Sequence, residues 1–332
     1  MAHTNGLDAQ HLMKMLGELL HKEQEKWNPK VFKVTGHTEM EVLGQHRDRI
    51  VKWILSLNKE FRFLPETLGL CISLLDRFLN LVKVRPKYLP CVAISCLYIA
   101  AKTLEEDEVI PSTVDLVKTI NCVCTVAEVL RMEAIVLNKL SWDIKRVTPV
   151  DFLHVIHSLL MYYHPQLLDV LCNVTPSQLL TLLTRKTLNC LSLHQLSSYR
   201  PSVITLAVVS LELEQITTAW LSICVMVQKM LDINMESFVK CREIVGQFLS
   251  QQGLLQSGYK FRSIRRSKSM KRKAIDDDDY CDEIYEGIKR LYNEDVSMEF
   301  NVDMRMSCGK EVNQHQDIDP RNNFCIPAVS AN

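Results

Sequence analysis

The sequence predicts an all-α protein, and three observations carry the prediction. Glycine is scarce, at 10 of 332 residues. Apolar residues recur at helical spacing over most of residues 8–250, while the period-two alternation of strands is hard to find. At 47% hydrophobic and 23% charged, the chain has enough apolar surface to bury proper cores.

The elements follow in chain order. Leu12, Met15, Leu16 and Leu19 mark an amphipathic helix within a lead-in of residues 1–43. In HRDRIVKWILSL the stripe is Ile50, Trp53, Ile54 and Leu57; in PETLGLCISLLDRFLNL it is Leu68, Cys71, Ile72, Leu75, Phe78 and Leu79. CVAISCLYIAA differs, being apolar almost all round, which places it in the middle of a bundle. Its small residues, among them Ala93, Ser95, Ala100 and Ala101, let neighbouring helices come close. It stops on one cation, Lys102, followed by an acidic burst. Val129, Met132, Val136 and Leu140 form the next stripe, and Thr148 before Pro149 reads as a helix start.

The plan then repeats. An amphipathic helix, a loop ending in Arg-Pro and an apolar helix rich in small residues occur twice, with the prolines at Pro86 and Pro201. Self-similarity of this kind predicts duplicated helical domains, at residues 44–146 and 147–253. From residue 254 to 332 the character changes: residues 258–273 hold eight basic and no acidic residues, and residues 276–286 hold seven acidic and no basic ones. With few apolar residues, this tail reads as mostly disordered, apart from a short amphipathic stretch around Ile284–Leu291.

Charge and motifs narrow the function classes. Lys+Arg and Asp+Glu are equal at 39 each, which argues against nucleic acid as the main partner. No apolar run reaches the roughly 18 residues of a membrane span, so no membrane partner is expected. MAHTNGLDAQ has no basic n-region or apolar h-region, and the twelve cysteines form no regular framework, so reduced thiols in the cytosol or nucleus are expected. No GxSxG elbow, phosphate-cradling glycine loop or HExxH appears. Cys122 and Cys124, or His154 and His157, have no matching second half for a metal. The chain reads as one that acts by binding, without cofactor, metal or catalysis of its own.

Four charged residues stand in odd places. Arg47 shares a side with Ile50 and Ile54, and a guanidinium pushed toward a core needs a carboxylate, for which Asp76 is the candidate. Glu133 falls within the Val129–Leu140 stripe, and Lys102 could neighbour it. Either those two satisfy each other inside the fold, or they sit at the rim of an apolar surface and bond something that docks there.

HRDRIVKWI, LLDRFL, the apolar helix ending AAKTLEED, and LRMEAIVLNKLSWD resemble, in that order, the landmarks of a cyclin box, and the resemblance runs over about residues 20–250. The two halves are similar to tandem five-helix cyclin folds. The tail phrase YEGIKRLYNED, after a KRK run, is similar to the atypical cyclin G and I group. The resemblance implies a non-catalytic regulatory subunit that binds and activates a cyclin-dependent serine/threonine kinase in cell-cycle or cell-survival control. In cyclins, the lysine of the AAK segment and the glutamate of the RME segment bond backbone groups of the kinase near its mobile αC helix; Lys102 and Glu133 match those positions. Arg47 and Asp76 match the family's internal salt bridge.

Departures from the family pattern matter as well. Of the cyclin substrate-docking patch, Ile50, Trp53 and Leu89 remain, but Arg49, Ser56 and Pro90 occupy other key positions. A cationic Arg49 should repel basic docking peptides. This keeps a second expectation alive, that of a cyclin-fold scaffold acting through a phosphatase regulatory subunit, as cyclin G relatives do. Arg265, Arg266, Lys271, Arg272 and Lys273 resemble a nuclear import signal, so residence in nucleus and cytoplasm is expected.

Overall fold

A computed structural model describes residues 9–29, 42–120, 124–172, 174–255 and 258–261. The basic run at Arg265, Arg266, Lys271, Arg272 and Lys273, the stretch Ile284–Leu291 and Cys122 lie outside the described residues. Among the described residues there are eleven α-helices and no strand; one isolated bridge joins Leu171 to Phe261.

The helices are α1 (Ala9–Lys26), α2 (Gly44–Phe61), α3 (Pro65–Leu81), α4 (Leu89–Leu104), α5 (Thr113–Ile120) and α6 (Val126–Lys139), then α7 (Pro149–Tyr163), α8 (Pro176–Leu191), α9 (Pro201–Ile216), α10 (Trp220–Met230) and α11 (Met235–Gln251). Their starts are written locally. Thr125 and Glu128 form a reciprocal cap on α6, with Thr125 N–H donating to Glu128 Oε2 at 2.7 Å and Glu128 N–H to Thr125 Oγ1 at 3.3 Å. Thr175 and Gln178 do the same for α8 at 2.9 and 3.3 Å. Proline opens α3, α7, α8 and α9, where its missing N–H would be unsatisfied anyway.

Two helices are buried nearly all round, as the sequence predicts for the first of them. On α4, every residue from Cys91 to Leu97 and from Ile99 to Ala101 is buried, against α2, α3 and α6. On α9, Ser202 to Leu213 are buried without a break, against α7, α8, α10 and α11. A short 3-10 turn precedes each, at Pro86–Tyr88 and His194–Ser198. The two Arg-Pro pairs are not equivalent, however: Pro86 opens the 3-10 turn, whereas Pro201 opens α9 itself. The loop lengths differ, so a matched dipeptide falls at different steps of the same path.

The buried residues form two large clusters. One is built from α2, α3, α4 and α6, and the other from α7–α11 together with Leu12 and Leu16 of α1. The clusters are tied at the start of α2. Asp48 accepts His194 N–H at 2.7 Å and meets its Nδ1 at 2.7 Å, and Arg47 Nη1 donates to the Leu191 carbonyl at 2.6 Å. Gly44 permits this approach, since a Cβ there would stand 2.5 Å from the His194 ring.

Helix α1 joins the second cluster through an acid. Glu23 is 2% exposed and accepts Ser202 N–H at 2.8 Å and Ser202 Oγ–H at 2.7 Å. It therefore caps α9, whose own N-cap residue, Arg200, offers no side-chain acceptor. Burial is the largest influence on this carboxyl and raises its pKa; the Ser202 bonds and the Arg200 charge pull downward without overcoming it. Glu23→Ala is expected to lower stability by about 1–3 kcal/mol, because the buried Ser202 N–H is left unpaired. Glu23→Gln keeps an acceptor and should lose well under half of that. The raised pKa makes the carboxylate's contribution shrink as pH climbs from about 4.5 through the folded value, so the Gln variant should also lack that pH dependence. Thermal midpoints measured from pH 4 to 8 check both points; equal losses for Ala and Gln would remove the capping role.

Candidate functional site

Lys102 and Glu133 meet. Lys102 lies in the last turn of α4, Glu133 in the middle of α6, and the packing of those two helices brings Lys102 Nζ onto Glu133 Oε1. The side chains differ in exposure, with Lys102 at 40% and Glu133 at 11%. The pair is therefore formed and also sits at a rim, so the two alternatives left open by the periodicity are not exclusive. The ammonium also lies 4.4 Å from the centroid of the Tyr98 ring, one turn earlier on α4, which fixes its direction through a cation–π contact. Tyr98 is held in turn by Thr113, whose Oγ1 stands 3.2 Å from the phenol oxygen. A lysine has three donors, and Glu133 takes one. What remains is a pre-aimed cation with an acceptor beside it, bordered by the exposed side chain of Leu130, three residues before Glu133 on α6.

Arg47 and Asp76 are buried where α2 meets α3. Arg47 is 1% exposed and Asp76 4%. Arg47 Nε donates to Asp76 Oδ1 and Nη2 to Oδ2, both at 2.9 Å, a two-pronged pairing that holds α2 against α3. Burial works to lower the Arg47 pKa, but the Asp76 charge and its bonds, with Asp48, outweigh it and leave the guanidinium firmly protonated.

The remaining predicted residues fall less together. Ile50 is 9% and Leu89 4% exposed, both in the buried cluster, so of the three patch residues only the half-buried Trp53 has surface to offer. Arg49 and Ser56 are exposed beside it. His154 and His157 separate: His154 Nδ1 stands 3.1 Å from Glu66 of α3, while His157 is buried. Burial lowers the His157 pKa, its contact with the Pro176 backbone opposes this, and nearby His154 adds to the lowering. Among the described residues no group of three or more His, Cys, Asp or Glu side chains is placed to hold a metal, and no helix is long and apolar enough to cross a membrane.

Two buried groups escaped the sequence reading. Glu23 is one; the other is a second ion pair, Lys186 Nζ on Glu212 Oε2, with both residues 2% exposed. Tyr259 donates its hydroxyl to the other oxygen of Glu212, and Cys172 N–H donates to the Lys260 carbonyl at 2.8 Å, so the segment after α11 is pinned back on the bundle. Lys186 had a signal: Leu179, Leu183, Lys186 and Cys190 are spaced as one helical stripe.

Comparisons with known proteins agree with this fold. A family model, the cyclin N-terminal domain, matches residues 14–145. The chain is 35% identical to Cyclin-I2 of Homo sapiens over 202 residues, 61% of this chain and 55% of that protein, so it spans little more than half of that relative. It is 34% identical to Cyclin-G1 of Pongo abelii over 250 residues, 74% of this chain and 82% of the relative. With Cyclin-G1 of Homo sapiens the identity is 36% over 212 residues, 62% of this chain and 70% of the relative. Among solved structures, the X-ray structure of a viral cyclin from herpesvirus saimiri superposes with a TM-score of 0.56 at 19% identity, over 73% of this chain and 99% of that one; the likeness is one of fold.

Proposed function

Since the chain belongs to the cyclin family, within reach of its G and I members, we propose that it is a non-catalytic regulatory subunit that binds and activates a cyclin-dependent serine/threonine kinase. The observation that carries the proposal is the Lys102–Glu133 pair: formed, held in direction by Tyr98, and open to solvent on the lysine side. Those are the positions at which cyclins bond the backbone of the kinase near its αC helix. The buried α4 makes the platform rigid, so docking would hold αC inward and complete the kinase's Lys–Glu ion pair without chemistry by this chain. Charge-assisted bonds desolvated in such an interface are each worth roughly 2 kcal/mol.

Wild type and a Lys102→Ala/Glu133→Ala double variant, both checked for helicity by circular dichroism, would be purified from cells with their bound proteins. Removing both partners avoids leaving a lone buried carboxylate. The expected result is a co-purifying, active cyclin-dependent kinase whose recovery falls at least about tenfold with the variant. Undiminished kinase recovery with the variant defeats the docking role. Retention of a phosphatase regulatory subunit with no kinase supports the scaffold reading instead. The exposed Arg49 and the burial of Ile50 and Leu89 favour that reading for substrate delivery, since little of the docking patch is left at the surface.

A further inference from the structure

We propose that the cleft between α1, α3 and the α6–α7 connection binds a phosphate group carried on a serine or threonine of a partner peptide. The cleft has a volume of about 520 Å³, and its walls include six cations, Lys22, Lys26, Arg47, Arg77, Lys139 and Arg146, against three carboxylates, Glu23, Asp76 and Asp143. Two of those carboxylates are already committed: Asp76 to Arg47, and Glu23 to the start of α9. Asp143 alone answers the rest. It takes Lys26 Nζ at 2.9 Å, Arg146 Nε at 3.0 Å and Arg77 Nη2 at 3.4 Å. Lys22 and Lys139 stand exposed on the same walls, with no ion-pair partner among the described residues.

The surplus is both real and fixed in place. Arg77 is held by the carbonyls of Asp143 at 2.6 Å and Ile144 at 3.3 Å, and Arg146 Nη1 by the carbonyl of Lys26, so neither guanidinium can swing away. Burial and, after it, the charge of Arg146 lower the Arg77 pKa to about 10, with Asp143 offsetting only part of this. Burial likewise opposes the Asp143 carboxylate, yet the bonds from Lys26 and Arg146 and the charges of Arg146 and Arg77 hold its pKa below the ordinary value. A concave site with several cations on one carboxylate is matched by a dianion better than by another carboxylate, and a phosphomonoester carries about −1.5 to −2 at neutral pH. The rim argues that the phosphate arrives on a peptide. Leu81 lines the cleft while 63% exposed, and Trp142, 66% exposed, stands between the lining residues Ser141 and Asp143. Apolar side chains held in water at the mouth of an anion site suit the residues that flank a phosphoserine, and free phosphate would leave them bare.

The test uses the full chain and two probes: inorganic phosphate, and fluorescein-labelled peptides of degenerate sequence with a fixed central phosphoserine, each against the same peptides with serine. Phosphoserine peptides are expected to bind, at least about tenfold more tightly than inorganic phosphate competes, while serine peptides do not. Lys22→Glu/Lys139→Glu, which disturbs no bond within the fold, should weaken the peptide at least about tenfold. Leu81→Ser/Trp142→Ser should weaken the peptide and leave competition by phosphate alone. Equal binding of serine and phosphoserine peptides overturns the proposal. So does a phosphopeptide no tighter than phosphate, or a Lys22→Glu/Lys139→Glu variant that binds as wild type does.

Discussion

An Arg47→Ala variant is expected to lose about 3–5 kcal/mol of stability, because it strands the Asp76 carboxylate, 4% exposed, inside the first cluster. The loss extends beyond the pair. Arg47 also donates to the Leu191 carbonyl, so the same change frees an acceptor where the two clusters meet. Replacing both charges, as Arg47→Met/Asp76→Leu, should recover most of the loss, since an apolar pair of similar volume avoids the desolvation penalty. Chemical denaturation of the three proteins decides the matter; a single variant within about 1 kcal/mol of wild type is incompatible with a buried bidentate pair.

Lys186→Met should be comparably severe, again about 3–5 kcal/mol, with the Glu212 carboxylate left in the core without the ammonium that neutralises it. A local readout separates this case from general loosening. Tyr259 anchors the segment that returns from α11 to Leu171 through Glu212, a bond that Lys186→Met leaves in place, so protease should cut around Gly258–Phe261 in this variant no faster than its global loss of stability explains. In Lys186→Met/Glu212→Leu stability should largely return, but cleavage there should become faster than in wild type, because the bond from Tyr259 to Glu212 is gone. Slow cleavage in the double variant would mean that the segment is held by something other than Glu212.

The fold was legible wherever apolar spacing alone decides it. The stripes through Ile50 and Ile54, Leu68 to Leu79, and Val129 to Leu140 are the buried faces of α2, α3 and α6, and the all-apolar α4 is the helix they surround. Arg47 was legible for the same reason, as a charge in register with buried neighbours. Lys186 obeys the same rule within the stripe of α8, and Glu212 interrupts an otherwise apolar α9; the signal existed and went unread. Glu23 is legible only in part. It continues the stripe of Leu12, Leu16 and Leu19 on α1, so its burial carried the same signal, but its partner is 179 residues away. No periodicity reports a contact at that separation. The surplus charge in the α1–α3 cleft is hidden in the same way, since Lys22, Arg77 and Lys139 come from three helices that only tertiary packing assembles.

That separation has a consequence for the order of events during synthesis. Helix α1 leaves the ribosome well before its partners, since Leu12 and Leu16 pack into the second cluster, and Glu23 caps a helix that begins at Pro201. At about 5–20 residues per second, roughly ten to forty seconds pass before the partner of Glu23 exists. Through that interval the α2–α6 cluster can form on its own, while the apolar face of α1 has nowhere to go. Helix α1 is thus made before the helices it packs on and placed only after them, so its docking reports that the second cluster has been assembled.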